Sequence, residues 1–383
     1  MFIYWGRRGA LSDFMFEFAR EIDSNFPATI SISFSNELFD EFRRLGESLF
    51  PVVTFDSSFR AATSWGKLLR LRRACWERFR RDRTRVVVNM MPHVWFPFIA
   101  PVLRKTGIRH IVVVHDASPH PGDPTGFLNR WLLREVRLCD HAVTLSKFVQ
   151  NQLVSMSAIS REKTTSLFHP DLTFRSAPTR RPRNGPLRVL FFGRLLSYKG
   201  IDLFLDALAL LGERGVVVEA GVLGSGNVEM YAPRFAQLGV HVENRWFRSD
   251  ELSYKFQQYD VVAICHAEAS QSGAVAAAFG AGMPVVAVPV GGIPEQVSNQ
   301  VTGLIVSSRS ANEFADALQR LADSPDLLGR LTAGVQRSKP TRSMARFAGQ
   351  LLQIVEEQIR EAGTSAAVQK SASFLPRTRH ADF

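Results

Sequence analysis

Short runs of β-branched and apolar residues recur along this chain, and each is followed by a segment long enough to form a helix. Examples lie at 29–32, 86–88, 111–114 and 142–145 in the first half, and at 188–192, 216–220, 261–264 and 285–288 in the second. Such alternation is typical of an α/β fold with parallel strands, and the continuous apolar strands of the second half are the kind that helices cover on both faces. We therefore predict two doubly wound, Rossmann-like halves with a ligand-binding cleft outside the carboxyl ends of their strands.

A segment rich in proline and arginine, SAPTRRPRNGP at 176–186, separates the two series of strands. Its prolines and like charges cannot continue a helix or a central strand, and a chain of 383 residues suits two domains. The predicted organisation is an amino-terminal Rossmann-like domain over 1–175, a linker over 176–186 and a carboxyl-terminal Rossmann-like domain over 187–338. A helix over 339–362 is expected to pack back toward the amino-terminal domain, and a disordered tail is expected over 363–383.

The balance of charge points to an anionic partner. A formal net charge of +11 and a pI near 10.0 suit nucleic acid, an anionic membrane or a diphosphate-bearing substrate, but no nucleic-acid recognition motif is present. Three widely spaced cysteines support neither a disulfide framework nor a zinc site, so a reducing cytoplasm is expected. The first residues do not have the order of a signal peptide, and no apolar stretch reaches the roughly eighteen residues of a membrane span.

The strand over 188–192 runs directly into a basic loop bordered by Gly193 and Gly200, and a helical pattern follows. Glycine lets the backbone approach a ligand closely, and a helix N-terminus attracts anions. Arg194 supplies a guanidinium that can donate two parallel hydrogen bonds, and Lys199 supplies a compact ammonium charge. Both groups suit a diphosphate. One anionic ligand accounts for all these features, whereas the alternative is a solvated loop with two ordinary surface cations.

A second strand-to-helix joint follows the strand over 261–264. Ser272 suits an N-cap and Gly273 leaves the adjacent amides unshielded, so a second helix N-terminus is expected to point into the same cleft. Further on, a Gly-Gly turn leads to Glu295. Its carboxylate either binds sugar hydroxyls or stabilises the first turn of its own helix.

Residues from about 187 to 310 resemble the donor half of glycosyltransferase family 4, a GT-B family of largely retaining enzymes. The resemblance rests on consecutive motifs: FGRL at 192–195 with Lys199-Gly200, GVLGSG at 221–226, and GMPVV at 282–286 with GGIPE at 291–295. It implies that Arg194 and Lys199 contact the diphosphate of a nucleotide sugar. It also implies that Gly224, Gly226, Arg245 and Trp246 lie near the base and ribose, although a Trp-Phe pair at 246–247 is equally suited to a core.

One departure from the family concerns a pair of glutamates that most members carry across this loop and helix. Alanines, Ala269 and Ala277, occupy both positions here. The resemblance therefore leaves recognition of the sugar and ribose to Glu268, Gln271 or Glu295. It keeps the helix-terminus phosphate site at Ser272 and Gly273.

In the amino-terminal half, His115 and Asp116 directly follow the strand over 111–114. In the family, a histidine at such a place lines the acceptor side of the cleft, where it can stabilise developing charge. The alternative is a hydrogen-bonded structural histidine. Together with His120 and Asp123 these residues lack the spacing of a zinc template, and GT-B enzymes of this kind need no metal. We therefore predict no metal and no cofactor besides the nucleotide-sugar co-substrate.

The loop Gly6-Arg7-Arg8-Gly9 joins the first strand to the first helical pattern. Two glycines beside two arginines suit a phosphate on the acceptor, or the donor phosphates after domain closure.

A strongly basic amphipathic helix is predicted between Lys67 and Arg85. It either contacts an anionic bilayer or is a solvated surface helix. The expected location is the cytoplasm, with the possibility of peripheral attachment to the inner face of the cell membrane.

Together, these patterns predict a retaining glycosyltransferase that moves a sugar from a nucleotide-diphosphate sugar to a glycan hydroxyl. The acceptor is expected to be lipid-linked, for example through polyprenyl diphosphate, in assembly of a bacterial surface polysaccharide or exopolysaccharide. A GT-B epimerase or phosphorylase ranks lower. A noncatalytic GT-B protein that binds a nucleotide or a partner is the alternative from another class, and Ala269 and Ala277 are the features that favour it.

Overall fold

A computed structural model describes residues 1–22, 26, 28–46, 48–55, 64–119, 129–174 and 185–372, without the side chains of 249–250 and 363–372. Apolar strands with helices between them form two sheets, one in each half of the chain. The predicted linker, His120, Asp123 and residues 373–383 lie wholly or mostly outside the described residues.

The amino-terminal domain holds a seven-stranded sheet in the order β3-β2-β1-β4-β5-β6-β7. Its strands are β1 (Phe2–Tyr4), β2 (Ile30–Ser33), β3 (Leu49–Val52), β4 (Val86–Asn89), β5 (Arg109–Val114), β6 (His141–Thr144) and β7 (Thr164–Ser166). Its helices are α1 (Ala10–Glu21), α2 (Phe39–Arg43), α3 (Trp65–Arg81), α4 (Ala100–Lys105), α5 (Asn129–Leu138) and α6 (Lys147–Ser155), with 3-10 turns at Phe96–Phe98 and Arg161–Lys163. Every strand pairing is parallel.

The carboxyl-terminal domain holds a six-stranded sheet in the order β10-β9-β8-β11-β12-β13. Its strands are β8 (Leu187–Phe192), β9 (Val218–Gly224), β10 (His241–Asn244), β11 (Val261–Ile264), β12 (Val285–Ala287) and β13 (Gly303–Ile305). Its helices are α7 (Ile201–Glu213), α8 (Ala232–Gln237), α9 (Ser249–Phe256), α10 (Gly273–Gly280), α11 (Ile293–Gln296), α12 (Ala311–Asp323) and α13 (Pro325–Ser338), with 3-10 turns at Ser197–Lys199, Glu229–Tyr231 and Lys339–Arg342. These pairings are also parallel.

Both sheets therefore have the strand order of a doubly wound Rossmann-like fold, in which the order reverses beside the first strand. The reversal lies between β1 and β4 in one domain and between β8 and β11 in the other. The predicted fold of two Rossmann-like halves is confirmed. The two reversal points are where such sheets bind ligands.

The last helix, α14 (Met344–Ala372), packs against the amino-terminal domain. Phe347 is fully buried and meets Phe14 and Phe18 edge-on, with ring centroids 5.4 and 6.2 Å apart. The helix continues through Ala372, whereas the sequence predicts disorder from Gly363. A glycine within a helix costs only about 1 kcal/mol relative to alanine, and the alanines, glutamine and lysine that follow it favour the helix.

An ion pair between Arg342 and Asp171 forms where the chain leaves the carboxyl-terminal domain and returns to the amino-terminal domain through α14. Arg342 donates from Nε to Asp171 at 3.0 Å and stacks over the ring of Phe279 at 4.4 Å. Burial raises the pKa of Asp171 to about 6 against the opposing effect of Arg342. None of the helices within the described ranges is long and apolar enough to cross a membrane.

Candidate functional site

The loops after β8 and β11 meet at the point where the strand order of the carboxyl-terminal sheet reverses. Gly200 has a φ of 80°, and a Cβ there would lie 2.0 Å from the carbonyl oxygen of Cys265. The loop after β8 therefore packs directly on the loop after β11, which only glycine permits. This contact brings Lys199 to the start of the second loop.

Lys199 and His266 form the centre of this site. The Nζ of Lys199 lies 2.8 Å from Nε2 of His266. This Nε2 of His266 also lies 3.4 Å from Oγ of Ser272. Burial and the neighbouring Arg194 lower the pKa of Lys199 to about 7, although Asp116 of the other domain opposes the shift. A lysine held in this way gains a full charge when an anion arrives.

Ser272 is the N-cap of α10, as its position in the sequence predicts: its Oγ accepts a hydrogen bond from the amide of Val275. The side-chain carbonyl of Gln296 accepts a hydrogen bond from the backbone N–H of Ser272 at 2.7 Å, and its amide group donates to the backbone carbonyl of Ser272 at 3.2 Å. Gly273 is exposed, and a Cβ built there would meet nothing within 4 Å. The start of α10 is thus fixed in position and has open space in front of it.

Arg194 is exposed in the loop after β8. The turn after β9 supports that loop, because a Cβ on Gly224 would lie 1.7 Å from the carbonyl oxygen of Gly193, and one on Gly226 would lie 2.3 Å from that of Leu195. These two glycines therefore allow the two loops to pack closely. Arg194 is left free in position to meet an anion beside Lys199.

The adjacent aromatic residues Trp246 and Phe247, beside the predicted base site, differ in their surroundings. Trp246 is 50% exposed, whereas the neighbouring Phe247 is buried in the core. Arg245 is bound to Glu251 at 2.8 Å and lies over the ring of Phe247 at 4.1 Å. Trp246 is thus the member of the pair that has a face open to a ligand.

The candidate residues for the sugar are spread along the site. Glu268 is exposed on the loop after β11, and Oε1 of Gln271 is buried with no hydrogen-bond partner. Glu295 instead bridges the domains: its two carboxylate oxygens accept the backbone N–H groups of Lys147 and Phe148, at 2.6 and 2.8 Å. In this conformation Glu295 caps α6 of the other domain, which differs from both of its predicted roles.

His115 lies at the carboxyl end of β5 and is 5% exposed. Its Nε2 donates to the carbonyl of Met90 at 3.0 Å, its Nδ1 has no partner, and its ring packs edge-on against Phe14. Burial lowers its pKa, so the neutral ring prevails near neutral pH. Asp116 beside it is exposed and acts electrostatically on Lys199 of the other domain.

The loop from Gly6 to Gly9 is tied to the segment after β2. Asn36 donates to the carbonyl of Gly6 at 2.8 Å, and the amide of Gly9 donates to Glu37 at 2.7 Å. Arg7 lies over the ring of Phe55 at 5.9 Å, and Arg8 is exposed. The amide of Gly9 is therefore engaged here, and Arg8 is the more accessible of the two cations.

Within the described ranges, no group of three or more His, Cys, Asp or Glu side chains lies close enough to hold a metal ion.

His266 is a site residue that the motif analysis did not single out. A signal is present in the sequence, because His266 lies two residues after the end of β11 and His115 lies one residue after the end of β5. Contact with Lys199 depends on how the two loops pack, and their sequences do not specify that packing.

Residues 186–324 match the family model described as "Glycosyl transferases group 1". The chain is 35% identical over 172 residues to the D-inositol 3-phosphate glycosyltransferase of Corynebacterium aurimucosum, which covers 42% of this chain and 41% of that protein. It is 27% identical over 249 residues to the enzyme of the same name from Corynebacterium glutamicum, covering 59% and 60%. The matches thus span less than two thirds of the length of these relatives.

Solved structures extend the comparison to the whole fold. HepE of Anabaena, bound to UDP and glucose, has a TM-score of 0.71 at 15% identity and covers 93% of this chain and 98% of its own. Sucrose-phosphate synthase of Thermosynechococcus elongatus has a TM-score of 0.70 at 15% identity, with coverage of 94% and 98%. The two domains have the GT-B arrangement.

Proposed function

We propose that this chain, whose residues 186–324 match the family model of the glycosyl transferases group 1, moves a sugar from a nucleotide-diphosphate sugar to a hydroxyl of a glycan acceptor. The observation that carries this proposal is the Lys199–His266 pair beside the open start of α10, at the reversal point of the donor-side sheet. Each element of this site favours an anion.

Transfer of the sugar requires the negative charge on the departing diphosphate to be stabilised. As the bond between the sugar and the diphosphate breaks, negative charge grows on the diphosphate oxygens. Lys199, Arg194 and the amides at the start of α10 are positioned to stabilise that charge. We assign His115 and Asp116 to the acceptor side of the transferred sugar, and of the two only the carboxylate of Asp116 is exposed. We further propose a retaining outcome, as in family 4.

For the acceptor, we propose a phosphate-bearing molecule. The related enzymes are named for inositol 3-phosphate, and Arg7 and Arg8 supply cations near the carboxyl end of β1. A polyprenyl-diphosphate-linked glycan of surface polysaccharide assembly has the same chemistry. Such an acceptor would place the protein on the cytoplasmic face of the membrane, with the basic segment 67–85 toward anionic lipid.

A thermal-shift screen against UDP-, GDP-, ADP- and dTDP-sugars tests the donor site. A ligand at a hundred times its dissociation constant adds about 2.7 kcal/mol of stability, so a clear rise in Tm is expected with one nucleotide. Lys199→Ala and Arg194→Ala should abolish the rise. Arg214→Ala, at a surface arginine paired with Asp316, is the matched control and should keep it. No shift with any nucleotide would reject the proposal.

A noncatalytic nucleotide-binding protein is the second candidate. The two positions that carry glutamates in most of family 4 are occupied by Ala269 and Ala277, both buried in the core. Such a protein would show the thermal shift but no release of free nucleotide on addition of acceptor. Release of nucleotide that depends on acceptor would exclude it.

A further inference from the structure

Exposed apolar side chains concentrate around α3. Of the five large hydrophobic residues that are exposed in the described part of the amino-terminal domain, four lie on or beside this helix: Phe34, Val53, Trp65 and Leu69, with exposures of 49 to 63%. Phe34 and Val53 line a groove with Lys67 and Arg70 on one flank of the helix, whereas Trp65 and Leu69, four positions apart, lie together on another. Exposed apolar groups gathered in one place mark an interaction surface more often than isolated ones do.

Two half-buried aromatic side chains, Phe98 and Trp131, adjoin Trp65 on two neighbouring segments. Trp65 meets Phe98 with ring centroids 5.5 Å apart, and Phe98 meets Trp131 at 5.1 Å. Trp65 begins α3, Phe98 ends the turn after β4, and Trp131 lies in the first turn of α5. Each of these segments follows a strand of the parallel sheet, so all three rings lie at its carboxyl edge, the edge that faces the cleft.

Cations are interleaved with these apolar groups. Helix α3 carries seven basic residues and one acidic residue among seventeen. Arg72 and Arg73 follow Leu69 by three and four positions and share its face of the helix, and both are exposed. Arg80 lies over the ring of Trp76, and Arg134 over that of Trp131. The surface is therefore amphipathic along its whole length.

We propose that this surface, formed by Trp65, Leu69, Phe98 and Trp131 with Arg72, Arg73 and Arg134 beside them, inserts into the interface of an anionic bilayer. Tryptophan concentrates where water meets lipid, and arginine reaches the headgroups from the same depth. The inference rests on the proposed function and deepens it: the cleft edge of the acceptor-side domain rests on the membrane, and a lipid-linked acceptor enters from there.

The proposal differs from attraction by charge alone. The attraction between basic residues outside the bilayer and anionic headgroups weakens as the salt concentration rises, because the Debye length falls to about 3 Å at 1 M. Inserted apolar side chains keep their contribution to the binding free energy at high salt, since that contribution depends on the apolar area removed from water. Binding to vesicles should therefore keep a component that resists salt and that depends on Trp65 and Leu69.

The test uses the full chain and vesicles of phosphatidylcholine with and without phosphatidylglycerol. The protein should sediment with anionic vesicles, retain part of that binding at high salt, and lose tryptophan fluorescence when the acyl chains are brominated. Because both side chains are exposed, W65S/L69S should fold normally and weaken binding by at least about tenfold. V217S/M230S, at an equally exposed pair of the other domain, should bind as the wild type does.

Several outcomes would overturn the inference. These are no sedimentation of the wild type, loss of all binding at high salt, no quenching by brominated lipid, or unchanged binding by W65S/L69S. Self-association or binding of single-stranded DNA that is lost in W65S/L69S, without vesicle binding, would assign the surface to another partner. The nucleotide thermal shift reports separately on the other domain. If it fails while vesicle binding persists, the proposed function is rejected and the membrane surface remains.

Discussion

Among single residues, Lys199 shows how its surroundings set the chemistry of the donor side. Burial and Arg194 hold its pKa at about 7, well below that of a free lysine. A bound diphosphate favours the charged form and so raises that pKa. Binding of the nucleotide therefore takes up a proton whenever the pH lies above the pKa of the free protein.

The dissociation constant for a nucleoside diphosphate should consequently rise between pH 7 and pH 9, by up to about tenfold per unit. In this window a terminal phosphate, with a second pKa of about 6, is already ionised. Isothermal titration calorimetry at several pH values measures the slope. Lys199→Arg keeps a cation that does not titrate and should flatten it. An equal slope in this variant would show that another group titrates.

The residues of the site differ in how far the sequence predicts them. The loop chemistry of Lys199 and the N-cap Ser272 can be read locally, because each depends on its own strand-to-helix joint. The partner of Lys199 cannot, since His266 lies 67 positions away and meets it only through loop packing. The same holds for Glu295, whose contacts lie 147 and 148 positions away in the other domain.

At the scale of elements, the donor site depends on how closely α7 approaches the loop after β11. Gly200→Ala should lower the free energy of unfolding by about 2 to 4 kcal/mol, because the new Cβ meets Cys265 and the left-handed backbone is strained. Its nucleotide affinity should fall as well, since the loop carrying His266 must move.

Gly212→Ala is the matched control, because it lies in the same helix with open space around it. There alanine should stabilise by about 0.5 to 1 kcal/mol. Thermal unfolding of the two variants compares them directly. Equal effects would mean that the contact between Gly200 and Cys265 carries no energy.

The elements themselves were largely predictable. The eight strands proposed from apolar runs all appear, with ends shifted by up to four residues, because β-branched runs between helical segments specify a parallel sheet strongly. The edge strand β10 is harder to predict from the sequence, since its side chains are half-buried or exposed and its sequence includes His241 and Glu243. The end of α14 differs from the prediction, because the residues after Gly363 lack apolar periodicity and yet continue the helix through Ala372.

For the whole molecule, the hydrogen bonds of Glu295 to α6 hold the two domains together. Ser146, the N-cap of α6, also donates to the carbonyl of Ser270 at 2.9 Å. A carboxylate at a helix N-terminus stabilises by up to about 1 to 2 kcal/mol. The structure therefore predicts that Glu295 stabilises the arrangement in which α6 of one domain lies against α11 of the other.

Glu295→Ala should shift the nucleotide-free protein toward a more open form, with a larger radius of gyration in small-angle X-ray scattering and weaker donor binding. Glu229→Ala, at an exposed carboxylate of the same domain, should leave both unchanged. Unaltered scattering combined with a changed preference among sugars would instead support the role of Glu295 on the donor sugar.

Helix α14 has a consequence for how the protein is made. Met344, Phe347 and Leu351, near the end of the chain, belong to the same core as Phe14 and Phe18 near its start. Because domains generally fold in the order of synthesis, the carboxyl-terminal sheet is complete while the first domain still exposes this part of its core on the ribosome. The first domain to be synthesised is thus the last to finish folding.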